Sequence, residues 1–294
     1  MSARSKLNRL SLVIALFALS AASLPAAGTG RRLDTDNPRA IALYEEGLKL
    51  AGADRFNEAV DKLRQAIQAD SNFIQAHLRY MDAFKGAGRG EEVSDMYRNM
   101  VEQNPGNPVY HYLYGRSLNE MPAKRGEFQK AQECDPSFYW APYGIGGTYY
   151  LEGRLDEAVI YLGRALKMNQ QMTEALKLLG DVYMEKSMFL LAKDQFEKAA
   201  NIDSTDVSVY LKLGQAFSRM ERYESAVQAF FRATVVNPGE PQPWYFLGLL
   251  YEMQSDTAKA VEAYRKFIAV KPDDELVPLV QRNIDALTGA KSAK

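Results

Sequence analysis

The stretch VSVYLKLGQAFSRMERYESAVQAFFRATVVNPGE, residues 207–240, is the part of the sequence that most directly indicates the fold. It contains two amphipathic runs joined by a short charged turn. Apolar residues recur at helical spacing in each run, so they share one face of a helix. Small residues at Gly214 and Ala226 allow two helix backbones to approach closely, and larger residues fill the remaining space. The pattern is formed by Tyr210, Leu213, Gly214, Phe217, Ala226, Phe230, Ala233 and Pro238.

The same pattern recurs in the neighbouring segments. Moving forward by one period gives Trp244, Leu247, Gly248, Tyr251, Ala260, Tyr264 and Pro272, and moving back gives Leu176, Leu179, Gly180, Tyr183, Ala192, Phe196 and Ala199. This repetition resembles the tetratricopeptide repeat, a helix hairpin with a period of about 34 residues. The resemblance implies an all-α fold, a right-handed superhelical solenoid of about seven helix hairpins with a C-terminal capping helix.

The repeats account for nearly all of the chain after residue 39. Seven units cover residues 40–274, an amphipathic helix at 275–287 is expected to cap them, and a tail follows at 288–294. The third unit is shorter than the others, which predicts a local change in the superhelical path. No stretch remains for a separate catalytic domain. The predicted repeats are 40–73, 74–107, 108–138, 139–172, 173–206, 207–240 and 241–274.

Residues 1–27 have the pattern of a secretory signal. Arg4, Lys6 and Arg9 precede an apolar run, and small residues follow it. The run is short for a bilayer span, which needs about 20 apolar residues. We therefore expect a signal peptide, with an uncleaved N-terminal anchor as the alternative, and a mobile polar linker at 28–39. The protein is expected to be exported, to a periplasm or to the outside of the cell.

The composition limits the possible chemistry. The chain has 36 Lys and Arg against 37 Asp and Glu, without the basic excess that a nucleic-acid partner would favour. Its 47% of hydrophobic residues can form a sizeable core. One Cys excludes an intramolecular disulfide, and two His leave little room for a metal site. We expect no metal and no cofactor.

Three features that could suggest a chemical site have simpler interpretations. His77 and His111 lie one period apart at a position that is aromatic in other repeats, so they are expected to pack in the core rather than bind a metal. Cys134 aligns with apolar residues and is expected to be a small buried hydrophobe. Gly144 and Gly146 lie inside a predicted helix with no strand before it, so a phosphate-binding loop lacks its context. No catalytic residue is predicted.

In the tetratricopeptide family, the first helix of each repeat lines the concave face, where ligand segments usually lie. The resemblance therefore implies a partner-binding groove whose middle is aromatic and contains an Arg, as protein-binding hot spots often do. The alternative is that the irregular third repeat lets these rings pack inward. A Lys and Asn clamp for a C-terminal carboxylate, which some family members have, is absent. The predicted groove set is Tyr112, Arg116, Trp140, Tyr143, Tyr150, Lys177, Asp181, Leu211 and Gln215.

Three hypotheses for function follow. The first is an exported, non-catalytic interaction module that holds an extended or helical segment of another protein in its groove. The second is a membrane-tethered scaffold of an envelope secretion or pilus assembly machine, which would touch the membrane only through an uncleaved N-terminal segment. The third, a carbohydrate-active enzyme that uses the aromatic groove, is the least favoured because repeats explain every segment.

Overall fold

The computed structural model describes residues 33–289, and over this range the chain consists of helices and turns without a strand. Fourteen helices form seven hairpins and a fifteenth follows them, so the predicted all-α repeat fold is confirmed. The helices are α1 (Pro38–Ala51), α2 (Phe56–Ala69), α3 (Ile74–Gly86), α4 (Glu92–Gln103), α5 (Pro108–Ser117), α6 (Met121–Cys134), α7 (Trp140–Leu151), α8 (Leu155–Met168), α9 (Thr173–Glu185), α10 (Phe189–Ile202), α11 (Val207–Arg219), α12 (Tyr223–Val236), α13 (Pro241–Met253), α14 (Thr257–Val270) and α15 (Val277–Thr288).

The described residues divide into two compact units, and the boundary falls within α9, between Val182 and Tyr183. In the first unit consecutive helices pack on one another from α1 to α3 and from α4 to α8, and α1, α3, α5 and α7 also contact one another in succession. A hydrogen bond between His77 and Tyr97 joins α3 and α4. We call the side of this unit that α1, α3, α5 and α7 form the first-helix face. In the second unit α10 to α15 pack in the same consecutive manner, and α15 packs against α14.

Within a hairpin, a glycine of the first helix lies against a large side chain of the second. A Cβ atom at Gly214 would lie 2.5 Å from the ring of Phe230, and one at Gly146 would lie 2.9 Å from Leu162. Phe230 and Leu162 are fully buried. The glycines are therefore needed for close helix packing. Gly146 in particular lies inside α7 and serves this contact, not a phosphate loop.

The turn inside most hairpins contains one residue in the left-handed region of backbone conformation. Glycine adopts this region without strain, and other residues do so at a cost. These residues are spaced by the repeat period and are Asp54, Gly88, Gly153, Ser187, Glu221 and Ser255. The third hairpin has no such residue between α5 and α6, which are separated only by residues 118–120. This turn is as long as the turn at residues 220–222, so the shortening lies in α5, which has 10 residues where α11 has 13. Pro122 is the second residue of α6.

One expectation from the sequence is wrong for the described residues. Cys134 is exposed rather than buried, because it is the last residue of α6. Asn37, near the end of the predicted linker, donates to the carbonyl of Ala69 over 2.8 Å and caps α1. The predicted signal segment, residues 1–27, lies outside the described residues. None of the helices within 33–289 is long and apolar enough to cross a membrane.

Candidate partner-binding site

Five neighbouring rings gather where the third and fourth hairpins meet, and we call them the aromatic cluster: Tyr112, Phe138, Tyr139, Trp140 and Tyr143. Trp140 is its centre, with ring centroids 5.5 Å from Tyr112, 5.9 Å from Tyr139 and 5.6 Å from Tyr143. Tyr139, Trp140 and Tyr143 lie at the start of α7, so helical spacing brings Tyr139 and Tyr143 onto neighbouring positions. Both of these rings are half-buried.

The structure corrects the expectation that Tyr112 and Trp140 are exposed for a partner. Tyr112 is 0% exposed and Trp140 is 2% exposed. The ring of Tyr112 packs between Phe128 of its own hairpin, at 5.4 Å, and Trp140 of the next. The alternative considered from the sequence, that these rings pack inward, therefore applies to both. They support the surface around them and do not themselves present a contact area.

The other predicted groove residues remain accessible in part. Arg116 is exposed, at the end of α5, and Tyr143 and Tyr150 of α7 are half-buried. Lys177 and Asp181 are half-buried on α9 in the first unit, and each has an electrostatic or hydrogen-bonding partner. The remaining two, Leu211 and Gln215, are half-buried on α11 in the second unit.

Sequence reasoning missed Asp34, which lies before the first repeat and reaches the aromatic cluster. The hydroxyl of Tyr139 donates to Asp34 Oδ1 over 2.7 Å, and the indole Nε1 of Trp140 donates to Oδ2 over 2.9 Å. The backbone N–H of Asp34 donates to Gln75 Oε1 over 3.1 Å. Burial and the charge of Asp34 raise the pKa of Tyr139, so its hydroxyl stays protonated and remains a donor. No periodic signal could have identified a residue outside the repeats.

An open cleft of about 850 Å³ lies beside Asp34, where α3, α5 and α7 begin. Its walls come mainly from the turns that connect successive hairpins, with several backbone groups and short polar side chains. Trp140 is the one member of the predicted groove set that lines it. The lining residues are Asp34, Asn72, Ile74, residues 103–109, Asp135 and residues 137–140.

Lys124 lies near enough to two other cations, Lys85 and Arg116, for their charges to affect its pKa, and we call these three residues the basic cluster. Lys85 is in the last turn of α3, Arg116 in the last turn of α5, and Lys124 in the first turn of α6. Partial burial and the charges of Arg116 and Lys85 lower the pKa of Lys124. The pKa falls because nearby positive charges and partial removal from water both disfavour the protonated, charged form of lysine.

The hydroxyl of Tyr112 is buried beside the guanidinium of Arg116, one helical turn further along α5. Burial raises the pKa of Tyr112, and the charge of Arg116 and its hydrogen bond to the hydroxyl oppose that rise. Tyr112 therefore helps to position Arg116 from beneath the surface.

Both histidines are buried and hydrogen-bonded. His77 Nε2 lies 3.0 Å from the carbonyl oxygen of Ser71, and His111 Nε2 lies 2.9 Å from that of Pro105. Tyr210 and Trp244 occupy the same repeat position and also donate to the carbonyl six residues earlier, at 3.2 and 3.1 Å. Sequence reasoning identified this as a packing position but missed its shared hydrogen bond. Over residues 33–289, no group of His, Cys, Asp and Glu could hold a metal ion.

The consecutive helix hairpins define an all-α helical-repeat protein. Tetratricopeptide repeat profiles match residues 34–116, 143–172 and 211–275, which together make up more than half of the sequence. The chain therefore belongs to the tetratricopeptide repeat family, whose members are protein-interaction modules.

Individual relatives are distant. Superkiller protein 3 of Schizosaccharomyces pombe is 26% identical over 166 residues, which is 54% of this chain and 12% of that protein. The anaphase-promoting complex subunit CDC16 of Saccharomyces cerevisiae is 21% identical over 273 residues, 78% of this chain and 32% of that subunit. The chain thus spans a third or less of either relative.

Two solved structures share the fold. YrrB, described as a TPR protein with an unusual peptide-binding site, has a TM-score of 0.52 at 22% identity, covering 64% of this chain and 99% of its own. The C-terminal part of a TPR repeat-containing protein from Cytophaga hutchinsonii has a TM-score of 0.52 at 16% identity, covering 81% and 98%. At these identities the likeness concerns the fold alone.

Proposed function

We propose that this protein is a non-catalytic interaction module that binds a segment of another protein on the first-helix face of residues 33–182. The observation that carries the proposal is the position of Tyr143, a half-exposed ring whose edge contact with buried Trp140 is 5.6 Å between centroids. Arg116 lies near enough to Tyr143 for the ionised form of Tyr143 to raise the pKa of Arg116. A supported tyrosine beside an accessible arginine is the combination that protein-binding hot spots favour.

The support of the ring matters for affinity. Binding a segment costs conformational entropy for every side chain that must be ordered, about 0.5–1.5 kcal/mol each. Because Tyr143 is already held by Trp140, little of this cost remains at that position. Trp140 is in turn fixed by Tyr112 and by its hydrogen bond to Asp34. The buried members of the aromatic cluster therefore preorganise the accessible ones.

A photo-crosslinking experiment tests this proposal. A photoreactive phenylalanine analogue replaces Tyr143 on α7 in one variant and Ile160 on α8 in a control. Ile160 is 53% exposed and belongs to the second helix of the same hairpin. We expect a protein partner to be captured in the native cell from position 143 and not from 160. Equal capture from both positions, or capture from 160 alone, would refute binding on the first-helix face.

We also propose export, supported by the basic and apolar pattern of residues 1–27. N-terminal sequencing of the protein recovered from its native cell decides between two forms. A mature chain that starts between residues 23 and 30 supports the soluble interaction module. Retention of residues 1–27 in a membrane fraction would instead favour the tethered scaffold of an envelope assembly machine. Recovery of the intact chain from the cytoplasm would contradict export in either form.

A further inference from the structure

The cleft beside Asp34 carries negative charge that its own walls do not balance. Two carboxylates line it, those of Asp34 and Asp135, and both residues are half-buried. Of the described residues that line the cleft, none is Lys, Arg or His. Tyr139, also half-buried, is part of the lining, and aromatic faces attract cations. The composition of the cleft therefore favours a positively charged ligand.

The charge of Asp34 remains available because its partners are neutral. Its two carboxylate oxygens accept from the hydroxyl of Tyr139 at 2.7 Å and from the indole of Trp140 at 2.9 Å. An ionised carboxylate has about four acceptor positions, so about two remain. Within the described chain Asp34 forms no ion pair, whereas Glu127, for example, pairs with Lys130 at 2.7 Å. A cation in the cleft would supply the missing countercharge.

The charge of Asp135 is not needed for the turn that this residue forms. Asp135 follows α6, and its Oδ1 accepts from the backbone N–H of Ser137 at 2.8 Å. Asn169 and Asn237 occupy the same repeat position and accept the equivalent bond with an amide oxygen, at 3.0 Å in both cases. An asparagine would therefore form this turn equally well. The carboxylate adds a charge for which the turn itself has no use.

The walls of the cleft are fixed by hydrogen bonds within the chain. His111 Nε2 donates to the carbonyl of Pro105 over 2.9 Å, and Asn107 caps α5 by accepting from the N–H of Val109, also at 2.9 Å. Pro105, Asn107 and Val109 all line the cleft. Because these groups are already ordered, a ligand would lose little affinity to the ordering of the walls.

We propose that this cleft binds the Lys or Arg side chains of an extended segment of the partner protein, with Asp34 and Asp135 as the paired carboxylates. The inference rests on the proposed function and specifies the chemistry of the segment. Tyr139 and Trp140 belong to both the cleft and the aromatic cluster, so one segment can reach the cleft and Tyr143 together. A volume of about 850 Å³ suits a ligand larger than one ion. An organic cation also fits better than a metal, since no group of His, Cys, Asp and Glu in the described residues could hold a metal ion.

The test uses the full chain and a pair of short fluorescent peptides. One peptide has Arg residues around a central Leu, and its twin has citrulline, a neutral residue of the same shape, at the same positions. Both are acetylated and amidated, so neither has a charged terminus. By fluorescence anisotropy we expect the arginine peptide to bind at least about tenfold more tightly than its twin, with affinity that falls as salt is added. Equal affinities would overturn the inference.

Neutral variants of the two carboxylates locate the site. Asp34→Asn and Asp135→Asn should each weaken binding of the arginine peptide by about two- to fivefold, the range of half-exposed ion pairs. Asp203→Asn is the control for the second variant, because Asp203 forms the same turn in the second unit and accepts from the N–H of Thr205 at 2.9 Å. Asp36→Asn is the control for the first, since Asp36 is exposed and lies two residues further on. If all four variants weaken binding to the same extent, the effect is general charge and the assigned site is wrong.

Asp135→Asn also separates a binding role from a structural one. Its helix content and thermal midpoint should match those of the wild type, because Asn169 and Asn237 form the same turn with an amide. Its affinity for the citrulline peptide should also stay the same. Unchanged affinity for the arginine peptide in this variant would exclude Asp135 from the site.

Two rival occupants of the cleft can be tested with the same peptides. The chain's own Arg31 and Arg32 precede Asp34 in the sequence. Replacing both by Gln should change the affinity for the arginine peptide by less than about twofold, whereas a gain of about tenfold or more would mean that these arginines fill the cleft and that the assignment to a partner is wrong. If spermidine binds more tightly than the arginine peptide in calorimetry, the ligand is a free polyamine and the assignment to a protein segment is wrong.

The remaining outcomes distinguish the inference from the proposed function. If the photoreactive side chain at position 143 captures the same protein equally well with and without the paired substitutions Asp34→Asn and Asp135→Asn, the face binds a segment but not through its basic residues, and only the inference fails. If the arginine peptide requires both carboxylates while positions 143 and 160 capture equally, the charge preference of the cleft stands and the proposed function fails.

Discussion

Replacing Asp34 by Ala tests whether the segment before the first hairpin is held by the aromatic cluster. The substitution removes two hydrogen bonds to a charged acceptor, from the Tyr139 hydroxyl at 2.7 Å and the Trp140 indole at 2.9 Å. Tyr139 is half-exposed and can bond to water instead. Trp140 is 2% exposed, so its Nε1–H would remain buried without a partner, at a cost of about 1–3 kcal/mol.

We therefore expect a local destabilisation of about 2 kcal/mol, which corresponds to roughly a thirtyfold increase in the population of the locally open state. Because repeat proteins open segment by segment, native-state hydrogen exchange is the appropriate assay. Amides at the start of α1 and around residues 139–143 should exchange roughly thirtyfold faster, and those of α12 to α15 should be unaffected. Asp34→Asn should lose less local stability than Asp34→Ala, since its amide oxygen can accept from Trp140 while its NH₂ donates to Tyr139.

Asp36→Ala is the matched control, because Asp36 is exposed and lies two residues further on. It should leave the exchange rates around residue 140 unchanged. If the exchange rates around residue 140 increase less than about threefold in Asp34→Ala, or increase equally in both variants, the reasoning is refuted. The hydrogen bonds of Asp34 would then contribute nothing measurable to holding the N-terminal segment.

Three further predictions concern the repeats. Burial lowers the pKa of His77 to about 4, whereas its unfolded pKa is about 6.5, so the folded state favours the neutral imidazole. The free energy of unfolding, measured by urea titration, should therefore fall by about 3 kcal/mol as the pH is lowered from 6.5 toward 4. His77→Tyr should flatten this pH dependence. Gly153→Ala should lower the free energy of unfolding by about 1 kcal/mol because the φ of Gly153 is +73°. Gly163 has equally open space around it but lies in a helix, so Gly163→Ala should raise the free energy of unfolding by up to about 1 kcal/mol in the same titrations. Gly214→Ala should lower the thermal midpoint markedly, since the new Cβ would lie 2.5 Å from buried Phe230, and an unchanged midpoint would contradict the packing argument.

The repeat architecture could be predicted from the sequence because each position of the pattern has a local cause. Gly214 faces Phe230 within one hairpin, and the same glycine position faces Leu63, Leu162 or Tyr264 in others. Neighbouring helices carry both halves of each contact, so periodicity alone is enough to infer it. The all-α fold follows from such contacts without any knowledge of distant residues.

The site could be predicted only in part, because its geometry depends on departures from the repeat. The accessible positions of Arg116 and Tyr143 follow from the family pattern. The burial of Tyr112 and Trp140 does not, since it depends on how the third and fourth hairpins meet after the shortened helix α5. Asp34 precedes the first predicted repeat, and its contact with Trp140 spans more than one hundred residues of sequence.

Lys124 shows how far the third hairpin departs from the repeat pattern. Its counterparts in the repeat pattern, such as Ala158 and Ala226, are fully buried small residues that close their hairpins. A lysine there adds a charge that burial and two neighbouring cations disfavour. Five of the other hairpins place alanine at this position and the second places Val93, so each closes with an apolar side chain. The third hairpin therefore departs from the repeat pattern where local consistency favours a small apolar residue, and this departure cannot be inferred from periodicity.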